Sequence, residues 1–276
     1  METGIGRRLT PDTVVIGSGN VASEIARFLA SSGRLKAVAA RSVDKVNAIA
    51  SRHNVRSVEL FGETLPQAKF YICAVTDSAI QEVASIIPDN DAVWLHTAGS
   101  VNIDIWSRYR SHYGVLYPLQ TLSVHRPVNP ALIPWFTEAD SPTTLKSVDD
   151  LAQSLGGYCV THATSIERAK LHVAAVFACN FTNFILGEAY ELLKTQDIDP
   201  LILRPLILHT VENAMSGQSP HLLQTGPAIR GNTEIINAHI SVLPTEAAEI
   251  YKFLSDKIYT KHHPSQTVIS NESHRF

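Results

Sequence analysis

The run GSGNVA places Gly17, Gly19 and Ala22 in a Gly-x-Gly-x-x-Ala pattern, directly after the β-branched run TVVI and at the head of an amphipathic helical pattern. In that position the first glycine permits a tight turn and the second lets the backbone approach a pyrophosphate. The small third residue lets the helix pack closely on the strand. Unpaired N–H groups at the helix start, helped by the dipole, then face an anion. Gly17, Ser18, Gly19, Asn20 and Val21 are therefore expected to hold the phosphates of a dinucleotide. Roughly twenty residues further on, where such folds read the adenosine ribose, stand Arg41 and Ser42. A carboxylate there would accept a bond from a 2′-hydroxyl, whereas a guanidinium beside a hydroxyl suits a 2′-phosphate. The nearest acid, Asp44, falls in the first turn of the next helix, so the expected cofactor is NADP(H).

Chemistry next to a nicotinamide needs hydrogen-bond donors at the carboxyl ends of the strands. AVTD and HTAGS follow two apolar runs and offer Val75, Thr76 and Thr97 as cofactor contacts, with Asp77, His96 and Ser100 beside them. The long apolar stretch LHVAAVFACNFTNFILGEAYELL carries His172, Asn180 and Asn183. Counted on an ideal helix, His172 and Asn183 project within about 20° of each other, with Asn180 about 80° from His172. Polar groups on an apolar helix need partners or a wet cleft, and an imidazole titrates near neutrality. His172 is thus the candidate proton donor, Asn180 a group that orients the reacting atom, and Asn183 a substrate contact. GPAIRGN presents Arg230 in a glycine-flanked loop suited to clamping a carboxylate. His239 on the following helix and Gln120 in YPLQT complete the substrate-binding candidates, and Tyr117 is a further wall residue.

The elements that must position these groups alternate. TVVI, KAVAA, SVEL, AKFYICAV, AVWLHTAG, HYGVLYPL and YCVTHAT read as strands, with helices over NVASEIARFLASSG, SVDKVNAIASRHN and SAIQEVASII. Such units imply parallel strands joined by right-handed crossovers with helices on both faces. RPVNPALIPWFTEAD reads as a loop with one strand at most. From Thr164 the texture becomes helical. TSIE is a capping box opening a long buried helix to near Leu193, and Asp199-Pro200 and Ser219-Pro220 are helix starts, with Pro205 delaying or kinking the first. Two helices over Thr233 to Leu243 and Glu246 to Tyr259 follow. The expected organisation is α/β, a Rossmann-like largely parallel sheet over residues 1–163, then an all-helical domain over 164–260 and a flexible tail over 261–276.

Composition narrows the partners. The net charge of −3 gives no electrostatic case for nucleic acid or an anionic membrane surface. Metal-ligand spacings are absent, so no metal is expected. Cys73, Cys159 and Cys179 lie far apart in apolar surroundings, as expected for buried thiols in a reducing compartment, and the N-terminal residues lack the apolar core of a signal peptide. A cytoplasmic protein is expected. A long apolar helix in a small second domain also predicts a homodimer.

VVIGSGNVA, AARS, YICAVTDSAI, WLHTAGS, YPLQTLS, ERAKLHVAAVFACNFTNFILGEAYELL and TGPAIRGN together resemble Rossmann-like proteins with a C-terminal helical domain of unknown function, DUF2520. That group is similar to deazaflavin-dependent NADP oxidoreductases and, more distantly, to pyrroline-5-carboxylate reductases and β-hydroxyacid dehydrogenases. The resemblance implies an NADP-linked oxidoreductase and a homodimer, and names no substrate. The dehydrogenases use a lysine with an asparagine one turn later on the long helix. Here Lys170 is followed by Ala174 at that spacing, which counts against hydroxyacid oxidation. The expected function is reduction of a small carbonyl or imine by hydride transfer from NADPH. The alternative is a non-catalytic NADP(H)-binding regulatory protein.

Overall fold

The computed structural model describes residues 10–264. The described residues fall into two compact units, one up to Phe181 and the other from Thr182. The first is built on one eight-stranded sheet in the order β3-β2-β1-β4-β5-β6-β7-β8. The strands are β1 (Thr13–Ile16), β2 (Leu35–Ala40), β3 (Arg56–Glu59), β4 (Phe70–Cys73), β5 (Val93–His96), β6 (Tyr113–Pro118), β7 (Pro134–Ala139) and β8 (Cys159–His162). All neighbours pair in parallel except β6 with β7, which is antiparallel. The chain leaves β1 toward β2 and β3, then returns to the other side of β1 with β4. This reversal opens a crevice at the carboxyl ends of β1 and β4.

Period-two alternation explains why these strands read as continuous apolar runs. Val14, Ile16, Tyr71, Cys73 and Trp94 fill one core layer, and Val15, Phe70, Ile72, Val93 and Leu95 fill the other. Helices α1 (Asn20–Ser31) and α2 (Val43–His53) bury Ile25, Phe28, Leu29, Val46 and Ile49 in the latter layer, and α3 (Asp77–Ile86) buries Ile80 and Val83 in the former.

Helix α4 (Pro142–Ser154) has no counterpart in the sequence reading. Its signals are nonetheless present: Ser141 accepts a bond from Thr144 N–H, Pro142 sits in the first turn, and Thr144, Val148, Leu151 and Ala152 recur on one buried face. The one strand allowed in the proline-rich stretch is β7.

The capping box at Thr164 forms. Thr164 Oγ1 accepts from Glu167 N–H, and Glu167 Oε2 accepts from Thr164 N–H at 2.9 Å. Helix α5 (Ser165–Ala175) follows, then a π-helical segment (Val176–Phe181), then α6 (Thr182–Lys194). The unit boundary therefore falls inside the long helix, not ahead of it at residue 164. The reason is Arg168, whose buried side chain ties the first turns of α5 to the sheet.

The second unit holds α6, α7 (Arg204–Ala214), α8 (Thr233–Ser241) and α9 (Thr245–His262). Asp199-Pro200 opens only a 3-10 turn, Pro200–Leu203, and α7 starts after it with Pro205 in its first turn. Ser219-Pro220 likewise gives a 3-10 turn, Pro220–Leu223, in place of the expected helix.

Three burial expectations fail within the single chain. Cys73 is buried, but Cys159 and Cys179 are exposed. The helix from Ser165 to Lys194, long and apolar enough by composition to cross a membrane, leaves Val173, Phe177, Phe181, Phe184 and Ile185 exposed. The rest of the second unit is alike: Ala228 is its only buried apolar side chain among the described residues. Of the expected tail, Lys261 and His262 continue α9; residues 265–276 lie outside the described residues.

Candidate functional site

The glycine turn is shaped by what its neighbours leave free. Gly17 has φ +137°, and a Cβ there would sit 2.2 Å from the Ala74 carbonyl oxygen. Its N–H donates to the Ala39 carbonyl at 2.8 Å, so the turn is tied to β2 as well as to the end of β4. Gly19, by contrast, has ordinary extended backbone (φ −83°, ψ −174°) and open space where a Cβ would stand. It is the N-cap of α1, and no side chain caps that helix. The N–H groups of the first turn of α1 are therefore available to an anion.

This turn forms the floor of a cavity of about 690 Å3, within the usual size range of small-molecule sites. All ten cofactor candidates, Gly17, Ser18, Gly19, Asn20, Val21, Arg41, Ser42, Val75, Thr76 and Thr97, line it, together with Gln120 and His172. Lys45 and Glu82 also line it and were missed in sequence. Lys45 lies in the first turn of α2, just beyond Arg41 and Ser42, and was legible as a second cation. Arg41 Nη1 stands 3.4 Å from Glu82 Oε2, with both side chains largely exposed. Such a pair holds an arginine weakly, which leaves Arg41 free to turn toward a ligand. The donor set fits a dinucleotide phosphate: cations and a hydroxyl at the end of β2, an uncapped helix, and room at Gly19.

At the other end of the cavity, the loops after β4 and β5 are fastened together by Ser100 Oγ donating to Asp77 Oδ2 at 2.7 Å. Gln120 Oε1 accepts from Thr121 N–H at 2.9 Å, so its amide nitrogen is the end left for a ligand. His96 does not line the cavity. Its side chain is fully buried, its Nδ1 accepts from Ala98 N–H at 3.2 Å, and burial, aided by the nearby Arg168 charge, pushes its imidazole down to about 3. It is a neutral spacer in the core, unsuited to giving up a proton near neutrality.

His172 comes to the cavity from α5, where its Nδ1 meets Tyr117 Oη at 3.1 Å. Tyr117 is largely buried at the end of β6 and also lines the cavity. Burial raises its phenol pKa, partly offset by the Arg168 charge, so the phenol is protonated at neutral pH. Gly99 packs directly on the imidazole: a Cβ there would lie 2.7 Å from His172 Cγ and Nδ1. Beneath this pair, Arg168 (1% exposed) donates to the Ala98 and Val101 carbonyls and to Glu138. Glu138 in turn accepts from Ser165 N–H and Oγ–H at 2.9 and 2.8 Å. The network ties the loop after β5, the strand β7 and the start of α5 into one support.

The remaining candidates lie elsewhere. Asn180 is exposed in the π-helical segment and does not line the cavity. The count of 100° per residue from His172 does not hold through that segment, whose i→i+5 turns rotate less per residue. Asn183, Arg230 and His239 belong to the second unit and are exposed there. His239 Nδ1 meets Tyr251 Oη at 2.7 Å. The Arg230 loop is shaped by Gly226 and Gly231, both at positive φ. No grouping of His, Cys, Asp and Glu able to hold a metal occurs among the described residues.

A sheet of this order, with a glycine-turn cavity at the carboxyl ends of its strands and a helical region after it, defines a Rossmann-like fold of the NADP oxidoreductase type. Residues 13–95 match the family described as NADP oxidoreductase, coenzyme F420-dependent, and residues 133–258 match the domain of unknown function DUF2520. A candidate NADP oxidoreductase from Bacteroides fragilis is 34% identical, with 91% of this chain and 98% of that one covered at a TM-score of 0.83. The chain belongs to this family of DUF2520-containing, NADP oxidoreductase-like proteins. At the level of fold alone, it is similar to a 1-pyrroline-5-carboxylate reductase from Streptococcus pyogenes (14% identity, 90% and 98% covered, TM-score 0.63). It is likewise similar to an imine reductase from Myxococcus stipitatus in complex with NADP+ (14% identity, 94% and 95% covered, TM-score 0.62). No curated protein matches the chain significantly.

Proposed function

We propose that this protein is an NADPH-dependent reductase of a small carbonyl or imine, working in the cytoplasm. The observation that carries the reading is one cavity with the glycine turn as its floor and cations at one end and the Tyr117–His172 pair at the other. Bound NADPH supplies a hydride to the substrate carbon. The protein's part is to hold the 2′-phosphate with Arg41, Ser42 and Lys45, to seat the pyrophosphate on the glycine turn, and to give a proton from His172 to the oxygen or nitrogen that gains charge. The imine reductase complex, which contains NADP+ on a similar fold, supports that choice of cofactor and reaction class. Asn180, Asn183, Arg230 and His239 carry no part of the reading.

Calorimetric titration with NADPH and NADH tests the cofactor. Arg41→Ala is expected to weaken NADPH binding by about ten- to a hundredfold, the worth of one charged hydrogen-bonding partner. NADH affinity should stay where it was. Equal loss for both cofactors, or none for either, would remove the 2′-phosphate from this position.

We further infer a homodimer. In the second unit, Phe184, Leu206, Leu208, Leu222, Val242 and Phe253 are all exposed in the single chain, against one buried apolar side chain among its described residues. A helical unit with that distribution is half of a core, completed by a second copy. Light scattering should return twice the 30.2 kDa chain mass; a clean monomer mass would rule the inference out.

A further inference from the structure

His172 is held on one side only. Tyr117 Oη occupies Nδ1 at 3.1 Å, and Gly99 lies against Cβ, Cγ and Nδ1 so closely that any side chain at that position would collide with the ring. The opposite nitrogen, Nε2, is left as the one a bound molecule can reach. We propose that Tyr117 is a positioning residue that keeps a proton on His172 Nδ1, donated to its phenol oxygen, so that Nε2 is the atom that delivers the proton to substrate. This rests on the reductase reading and names the donor atom within it.

The proton inventory closes without moving the ring. In the imidazolium, Nδ1–H donates to Tyr117 Oη and Nε2–H points to the substrate. When hydride reaches the C=N or C=O carbon, the π pair goes to nitrogen or oxygen, which takes the Nε2 proton. The imidazole left behind is neutral and still donates Nδ1–H to the same phenol. Solvent returns a proton to Nε2, and the phenol neither gains nor loses one. Tyr117 suits this role because its burial keeps it protonated and uncharged, able to accept without becoming a base. The other charged or titratable groups lining the cavity are Arg41, Lys45, Asp77 and Glu82. Arg168 lies behind the pair, with its donors taken by Glu138, Ser165 and the Ala98 and Val101 carbonyls.

Nitrogen-15 histidine labelling of the full chain reads the ring directly, with His172→Gln identifying its signals among the twelve histidines. As the ring loses a proton, the wild-type Nε2 resonance should move while Nδ1 stays protonated. Tyr117→Phe and Gly99→Ala, which remove the hydrogen bond and displace the ring respectively, should each abolish that preference. A neutral wild-type ring protonated on Nε2, or a Tyr117→Phe spectrum like the wild type, would overturn the proposal. With NADPH and the cyclic imine 2-methyl-1-pyrroline, Tyr117→Phe should lower kcat about tenfold or more, with KM and NADPH affinity unchanged. A wild type that reduces neither this imine nor simple ketones would sink the reductase reading, while the spectra would still decide which nitrogen Tyr117 holds.

Discussion

Arg168→Met is expected to destabilise the first unit by about 3 kcal/mol or more, the loss seen when one partner of a buried ion pair is removed. Arg168 is only 1% exposed, and its partner Glu138 keeps 18% of its side chain in solvent, which puts the expectation at the lower end of that range. The loss is more than a pair. The guanidinium also satisfies the Ala98 and Val101 carbonyls, and Glu138 holds both donors of Ser165, whose Oγ accepts from Ile103 N–H at 3.1 Å. Methionine fills much of the space but supplies no donors. All three tryptophans, Trp94, Trp106 and Trp135, are fully buried in the first unit, so the urea midpoint of tryptophan emission reads this unit without interference from the second. Adding Glu138→Gln should restore part of the loss, because the neutral amide leaves no unpaired buried charge. The coupling between the two changes should be about 1 to 3 kcal/mol. A midpoint that stays put in Arg168→Met would mean the network is incidental. NADPH affinity should fall as well, since the loop from Thr97 to Ser100 lines the cavity and loses its anchor.

Legibility in the sequence tracked the range over which each signal acts. The glycine turn, Arg41 and the strand-end residues were readable because their roles depend on spacing along one βαβ unit. All of them except His96, which is buried in the core, line one cavity. The capping box at Thr164 was equally local. Arg168 was invisible because its importance depends on two carbonyls and a carboxylate that only the fold brings together. Gly99 escaped for the same reason: its lack of a side chain matters only because His172 packs against it. The phase relation from His172 to Asn180 and Asn183 assumed an unbroken α-helix, and the π-helical segment at Val176–Phe181 removes the basis of that count. The expected burial of the long helix came from its composition, which reports that an apolar face must be covered but not by which chain.

The two glycines of the turn should separate structure from binding. Gly17→Ala must fit a methyl group 2.2 Å from the Ala74 carbonyl oxygen while holding φ at +137°. The conformational strain alone costs about 1 to 3 kcal/mol, and the collision adds to it. This variant is expected to lose about 3 kcal/mol of stability in the tryptophan-monitored urea transition, and to bind neither cofactor well. Gly19→Ala should behave oppositely. Its φ of −83° suits alanine and nothing lies within 4 Å of the added carbon, so stability should stay within about 0.5 kcal/mol of the wild type. The methyl group would nonetheless stand where the backbone must come close to a pyrophosphate. NADPH and NADH affinity should therefore fall together, by about tenfold or more, in contrast to Arg41→Ala, which should affect NADPH alone. A Gly19→Ala protein that is stable and binds NADPH as well as the wild type would show that the phosphates lie elsewhere. A Gly17→Ala protein as stable as the wild type would show that the turn can relax, which the Gly17 N–H bond to Ala39 and the Ala74 N–H bond to Ile16 both oppose.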